Sequence, residues 1–295
     1  MRLRALYVGL VISSFCCVPT IPVQAQEDVR GAFLTTRPKP VEKSAKGNEG
    51  PRASRRRPKT VPAKPAAPGG ATTPIGPQTN DGKATAQKLG LGLTLFSRDS
   101  LGLAIRADPA RVFRKGDRVR ILLETNVDGY LYIFNTTNGG KPVMIYPNKE
   151  LDEGGNYLQS HIPFEIPSST TSEERLRWLV FDEVAGTERL YFVFTREPLK
   201  GIPLEDELVA YCGDAKNTCP VQPGADLWAQ IEKEVDAPLQ VASIAKYGKA
   251  QTAPEREAVE RGLGLSKEEP EPSLILMSAS ANTGTLVTVL DLVHK

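Results

Sequence analysis

Residues 124–148 read ETNVDGYLYIFNTTNGGKPVMIYPN, and the run YLYIFN, Tyr130 to Asn135, decides the fold class. Side chains alternate along a strand, so Tyr130, Tyr132 and Phe134 fall on one face and Leu131 and Ile133 on the other. A strand apolar on both faces must be covered on both, which places it inside a sheet with something packed on each side. Asp128-Gly129 and Asn138-Gly139 bracket the run. Asn, Asp and Gly tolerate the positive φ that tight hairpin turns need. The stretch is therefore expected to be a three-stranded meander, with strands at Val119–Thr125, Tyr130–Asn135 and Pro142–Tyr146.

The pattern continues outward in both directions. DRVRILLET sets Val119, Ile121 and Leu123 on one face, with Arg118, Arg120 and Glu124 opposite, and LGLAIRA aligns Leu101, Leu103 and Ile105. Further strands are expected at HIPFEIP, RWLVFDE (Arg177–Glu183), ERLYFVFTR (Glu188–Arg196), DELVAYC (Asp206–Cys212), SLILMSAS and TGTLVTVLDLV. Two helical segments interrupt them. DLWAQIEKEV follows Pro223-Gly224 and stripes Leu227, Ile231 and either Glu234 or Val235; APEREAVERGL has Thr252 as a cap and Pro254 in its first turn. Many short strands imply a mostly β fold, an antiparallel β-sandwich of immunoglobulin-like kind with one or two short helices inserted late. Residues 88–295 read as that single domain.

The N-terminal part has a different composition. Residues 1–25 show a basic start (Arg2, Arg4), an apolar core and a small-residue Val23-Gln24-Ala25 site, the pattern of a secretory signal. An uncleaved anchor and lipidation at Cys16 or Cys17 are the other readings; Phe15 before Cys16 argues against the second. Residues 26–87 read as a disordered linker rich in Pro, Lys and Arg. Within 31–80 ten basic side chains face two acidic ones, a net charge of +8. The whole chain is only +2, so residues 81–295 carry −7 once the leader (+2) and residues 27–30 (−1) are counted. A basic arm on an acidic body suits contact with an anionic membrane or cell-wall surface, or a mere solvated spacer. RASRRRPK lacks any accompanying nucleic-acid recognition module. The compartment expected is exported, periplasmic or cell-surface associated.

In such an oxidising compartment Cys212 and Cys219, in YCGDAKNTCP, are expected to close a structural disulfide. Reactive groupings are scarce. His161 and His294 are the two histidines; His161 sits before a short strand and His294 next to the terminus, and neither has a neighbouring Ser or Cys arrangement that sequence alone identifies as a triad. NKELDEGGN (Asn148 to Asn156) has oxygen ligands without the alternation of a calcium loop. GLGL lacks the strand–helix context of a phosphate loop. No cofactor and no metal are implied, and oligomeric state is not legible.

With the strands placed, FRKGDRVRI, NVDGYLYIFN, VMIYPN and GTERLYFVFTREPL resemble the bacterial domain of unknown function numbered 4384, over roughly residues 112–200. The resemblance implies a β-sandwich module used for interaction, found in exported proteins and appended to kinase-like or caspase-like domains. It supplies no active-site residues, and it leaves Pro198–Lys295 as an extension. The function expected is a non-catalytic envelope module docking a protein or glycan partner, with Tyr130, Tyr132, Asn135, Tyr146 and Asn148 as the contact set. Tyr and Asn suit adaptable recognition surfaces, and suit core packing and turns as well. The alternatives are a cell-wall hydrolase working through Asp152, Glu153 or Glu173, and a structural subunit of a secretion or surface assembly.

Overall fold

YLYIFN lies inside a sheet, and both of its faces are covered. The computed structural model describes residues 23–39, 55–56, 87–150 and 154–295. In chain order the elements are α1 (Val23–Leu34), β1 (Gly90–Arg98), β2 (Ala104–Arg106), β3 (Arg118–Thr125), β4 (Gly129–Thr137), β5 (Val143–Tyr146), β6 (Tyr157–Leu158) and β7 (Phe164–Ile166). Then come β8 (Leu179–Val180), β9 (Gly186–Thr195), α2 (Asp206–Gly213), α3 (Ala225–Val235), β10 (Leu239–Ser243), α4 (Ala253–Arg261), β11 (Leu274–Ser278) and β12 (Thr285–His294).

Two antiparallel sheets face each other. The first runs β10-β11-β1-β3-β7, with β2 on β1 and β8 on β3; the second runs β12-β9-β4-β5, with β6 on β4. Their inner faces share one core, to which β1 gives Leu91, Leu93 and Leu95, β3 gives Ile121 and Leu123, and β9 gives Phe192 and Phe194. On the second sheet's outer face Tyr132, Phe134 and Val193 are covered by Leu208 of α2 and Ile231 of α3. Trp228 of α3 stands edge-on to Phe134 at 6.0 Å and to Tyr191 at 4.7 Å. Each such pair adds ~0.5–1.5 kcal/mol beyond simple burial.

The first sheet's outer face is covered too, although its strands carry charges there. α1 lays Val29 and Phe33 on Ala242, Ile275 and Met277, and Val259 of α4 packs on Phe96, Leu122 and Trp178. Between these patches every buried charge has an opposite one. Arg106 bonds Glu255 at 2.5 Å, and Arg120 lies over the Trp178 ring and 3.4 Å from Glu165. Arg37, just past α1, forks Glu124 with bonds of 2.8 and 2.7 Å. Removing one member of such a pair strands a charge, which is why the covering segments and this face are coupled. The result is four layers, helix–sheet–sheet–helix: a mostly β antiparallel sandwich.

Several expectations are corrected. β3 and β4 are not hairpin neighbours but lie in different sheets, so only β4–β5 of the expected meander exists. Asn138 (φ 51°) and Gly139 (φ 70°) do form its tight turn, with Gly140 N–H donating to Thr137 O. Asp206–Cys212 is the helix α2, because Leu208, Tyr211 and Cys212 share a helical stripe against the core and leave Val209 exposed. Leu101 and Leu103 are solvent-exposed; Asp99 accepts from both their N–H groups in a turn, and the strand is only Ala104–Arg106. Arg177–Glu183 shrinks to a 3₁₀ turn, Glu174–Arg177, and the short β8. β1 and β10 were not foreseen, and three helices rather than one or two fall in the C-terminal part.

The expected linker at 26–87 is also corrected where it is described. Residues 26–34 belong to α1, Phe33 and Arg37 are buried, Arg55 lies 4.6 Å over the Phe164 ring, and Arg56 bonds Asp206 at 2.8 Å. The apolar spacing of Val29 and Phe33, one helical turn apart, supplies the burial that average composition concealed. Residues 1–22, 40–54 and 57–86, with the leader's core and most of the basic arm, lie outside the described residues.

Candidate functional site

Inward positions on the second sheet stop being apolar at one end. On β4 the inward series Leu131, Ile133 continues to Asn135; on β9 the series Phe194, Phe192, Leu190 continues to Glu188; on β12 Leu286, Leu290 and Leu292 lead to His294. The register sets these three strand ends side by side, with Glu188 opposite Thr137 on one flank and Leu292 on the other. Three polar residues thus face into the sandwich where its two sheets part. They line a cleft of about 210 Å³ whose remaining walls include Val119, Ile145, Leu179 and Val180.

The hydrogen bonding there is incomplete. Asn135 Nδ2 and Thr137 Oγ1 both donate to Glu188 Oε2, each at 2.8 Å. His294 is 3 % exposed, and Nε2 stands 3.5 Å from Glu188 Oε1, too far for a good hydrogen bond. Both ring nitrogens of His294 and Oδ1 of Asn135 are buried without a hydrogen-bond partner. Such an atom costs ~1–3 kcal/mol. The imidazole is nonetheless fixed: its ring packs 5.1 Å from Phe181, which stacks on Phe113, and Phe113 N–H donates to Val293 O. A rigid wall with unmet polar atoms beside apolar side chains is the composition of a binding site.

Of the expected contact set, Asn135 alone reaches this cleft. Tyr132 and Tyr146 are fully buried and Tyr130 nearly so, which removes them from any recognition surface. Tyr132 Oη accepts from Leu199 N–H, and Tyr146 Oη donates to Gly155 O. Asn148 lines a different cleft, about 570 Å³, beside the Cys212–Cys219 disulfide, where Oδ1 accepts from Glu150 N–H in a local turn. Glu188 and His294 were missed as a pair. Their signal was the strand parity, which carries polar residues onto the core-facing series at the ends of β9 and β12.

The groups considered for chemistry are placed as follows. Glu173 is exposed and bonded to Arg175; Asp152 and Glu153 lie outside the described residues. His161 has Nδ1 2.7 Å from Glu124 Oε1 and Nε2 2.8 Å from Thr36 Oγ1. That order of contacts matches a hydroxyl–imidazole–carboxylate relay. Yet the Thr36 hydroxyl donates to Phe33 O at 2.7 Å, and the Arg37 fork already holds both Glu124 oxygens. The grouping fastens the segment after α1 to the body. Among the described residues no group of His, Cys, Asp and Glu is set to hold a metal ion, and no helix is long and apolar enough to cross a membrane.

Neither the curated proteins nor the solved structures give a match to the chain. Residues 112–198, from the segment before β3 to the end of β9, match the family model of a domain of unknown function, DUF4384; they include Asn135, Glu188 and most of the cleft's walls, with β12 closing the cleft from outside the matched segment.

Proposed function

We propose that the chain is an exported, non-catalytic recognition module of the cell envelope, whose sandwich docks a protein or glycan partner at its open end. The observation that carries this reading is the cleft between the sheets, where His294 and Asn135 keep buried polar atoms unpaired beside apolar walls. A partner group that meets those atoms removes their cost, which is how a few polar positions give specificity. The hydrolase reading has less support, since Glu173 faces solvent and the His161–Glu124 pair is spent on Arg37 and Thr36. The basic segment, residues 31–80, adds contact with an anionic membrane or cell-wall surface. Arg37, Arg55 and Arg56 are turned onto the body, so that contact falls to the other basic side chains of the segment.

A photo-crosslinking residue at Val180, on the lip of the cleft, tests the docking in intact cells against the same residue at Leu263, exposed at the end of α4. Discrete adducts from position 180 and none from 263 are expected. Equal labelling at both positions, or none at either, overturns the reading.

A further inference from the structure

We propose that the cleft at the open end of the sandwich takes a basic side chain of a partner protein, with an aliphatic stem between the sheets and a cationic head at Glu188. This deepens the recognition reading above and rests on it. The argument is charge complementarity. Glu188 and Asp182 both line the cleft, and among the described residues neither has a lysine or arginine nitrogen within 4.0 Å. By contrast the neighbouring Glu183 is matched by Lys115 at 2.5 Å. Glu188 Oε2 is occupied by Asn135 and Thr137, while Oε1 has only the imidazole at 3.5 Å. Asn135 turns its amide donor to Glu188, so its unpaired Oδ1 is a further acceptor.

Acceptors on Glu188 and Asn135, with Val119, Leu179, Val180 and Leu292 along the walls, suit a group with an apolar stem and an N–H-rich cationic tip. An anionic group meets two carboxylates there. A neutral polar group leaves Glu188 without a counter-charge. Val180, 55 % exposed, gives the lip an apolar residue against which a protein surface can close.

The test titrates the purified protein with n-butylammonium, 1-butanol and butyrate at one fixed pH. The readout is the nuclear magnetic resonance signals of the Asn135 side-chain amide and the His294 ring. Butylammonium is expected to saturate with shifts at both residues, and butyrate to leave them unmoved. Glu188→Gln is expected to weaken butylammonium roughly ten-fold, the loss of one charge-assisted contact. Asp182→Asn, at an exposed residue, provides a second, smaller weakening if Glu188→Gln unfolds. Butanol binding as tightly as butylammonium, with neither variant having an effect, overturns the cationic occupant and leaves the recognition site standing. No response to any of the three probes, together with no adduct at Val180, overturns both. Butylammonium binding that appears only after residues 57–86 are deleted assigns the cleft to the chain's own basic segment, and overturns a partner as its occupant.

Discussion

Asp128 carries a turn signal in the sequence and acts as a clamp in the structure. Its Oδ1 accepts from Ser160 N–H at 2.8 Å and its Oδ2 from Tyr157 Oη at 3.0 Å, tying the β6 region to the start of β4. Gly129 beside it is needed for close approach rather than for a positive φ, because a Cβ there would sit 2.5 Å from Thr195 O. Burial, and then the Asp128 charge, push the Tyr157 phenol from 10.0 up to about 12. The fold therefore favours the neutral phenol. That contribution is complete below pH 10.0 and is lost as pH rises through about 12, because the unfolded chain ionises first. Titration by phenolate absorbance is expected to show Tyr157 among the tyrosines that ionise late, with Tyr247 also raised by burial. Asp128→Asn should move Tyr157 part of the way back towards 10.0, with the burial share remaining. A late Tyr157 indifferent to Asp128→Asn would mean that burial alone sets the shift.

At the scale of elements, the segments easiest to read were those whose local signals and tertiary surroundings agree. α4 has its reciprocal cap, Thr252 Oγ1 accepting from Glu255 N–H and Glu255 accepting from Thr252 N–H, and α3 buries the expected stripe. DELVAYC failed because so short a run fits both periods, and what decides between them is the core beneath Leu208. α1 was hidden by its neighbours: a basic, proline-rich stretch follows a helix that has few apolar residues and docks through them. Phe33 is fully buried against Ile275 and Met277, and Arg37 completes a charge pair that the sheet cannot satisfy itself. Phe33→Ala is expected to cost ~3–5 kcal/mol of stability. Hydrogen exchange should show the amides of residues 26–34 losing protection before the strands do. An unchanged denaturation midpoint would mean that α1 contributes little to the fold.

The whole molecule divides into layers that serve different ends. The first sheet's outer face alternates apolar patches with buried ion pairs and is covered by α1 and α4, and the second's is an aromatic layer sealed by α2 and α3. The sequence showed that the sheet holding YLYIFN had to be covered on both faces, but not that the other sheet is covered too or which helix covers which sheet, since that depends on pairings between distant strands. The same holds for the cleft: Asn135 was visible as a polar residue at a strand end, whereas its company with Glu188 and His294 exists only once β4, β9 and β12 are in register. The Cys212–Cys219 bridge sits in the α2 layer and lines none of that cleft. Replacing both cysteines by serine removes a short closed loop and should cost about 2 kcal/mol. For a domain of this size that is a fall in Tm of roughly 4–8 °C. Butylammonium affinity at the open end should stay unchanged in the same variant, because the second sheet stands between the two features. A parallel loss of binding would show instead that the α2 layer sets the spacing of β4 and β9, and that stability and recognition are one property of this fold.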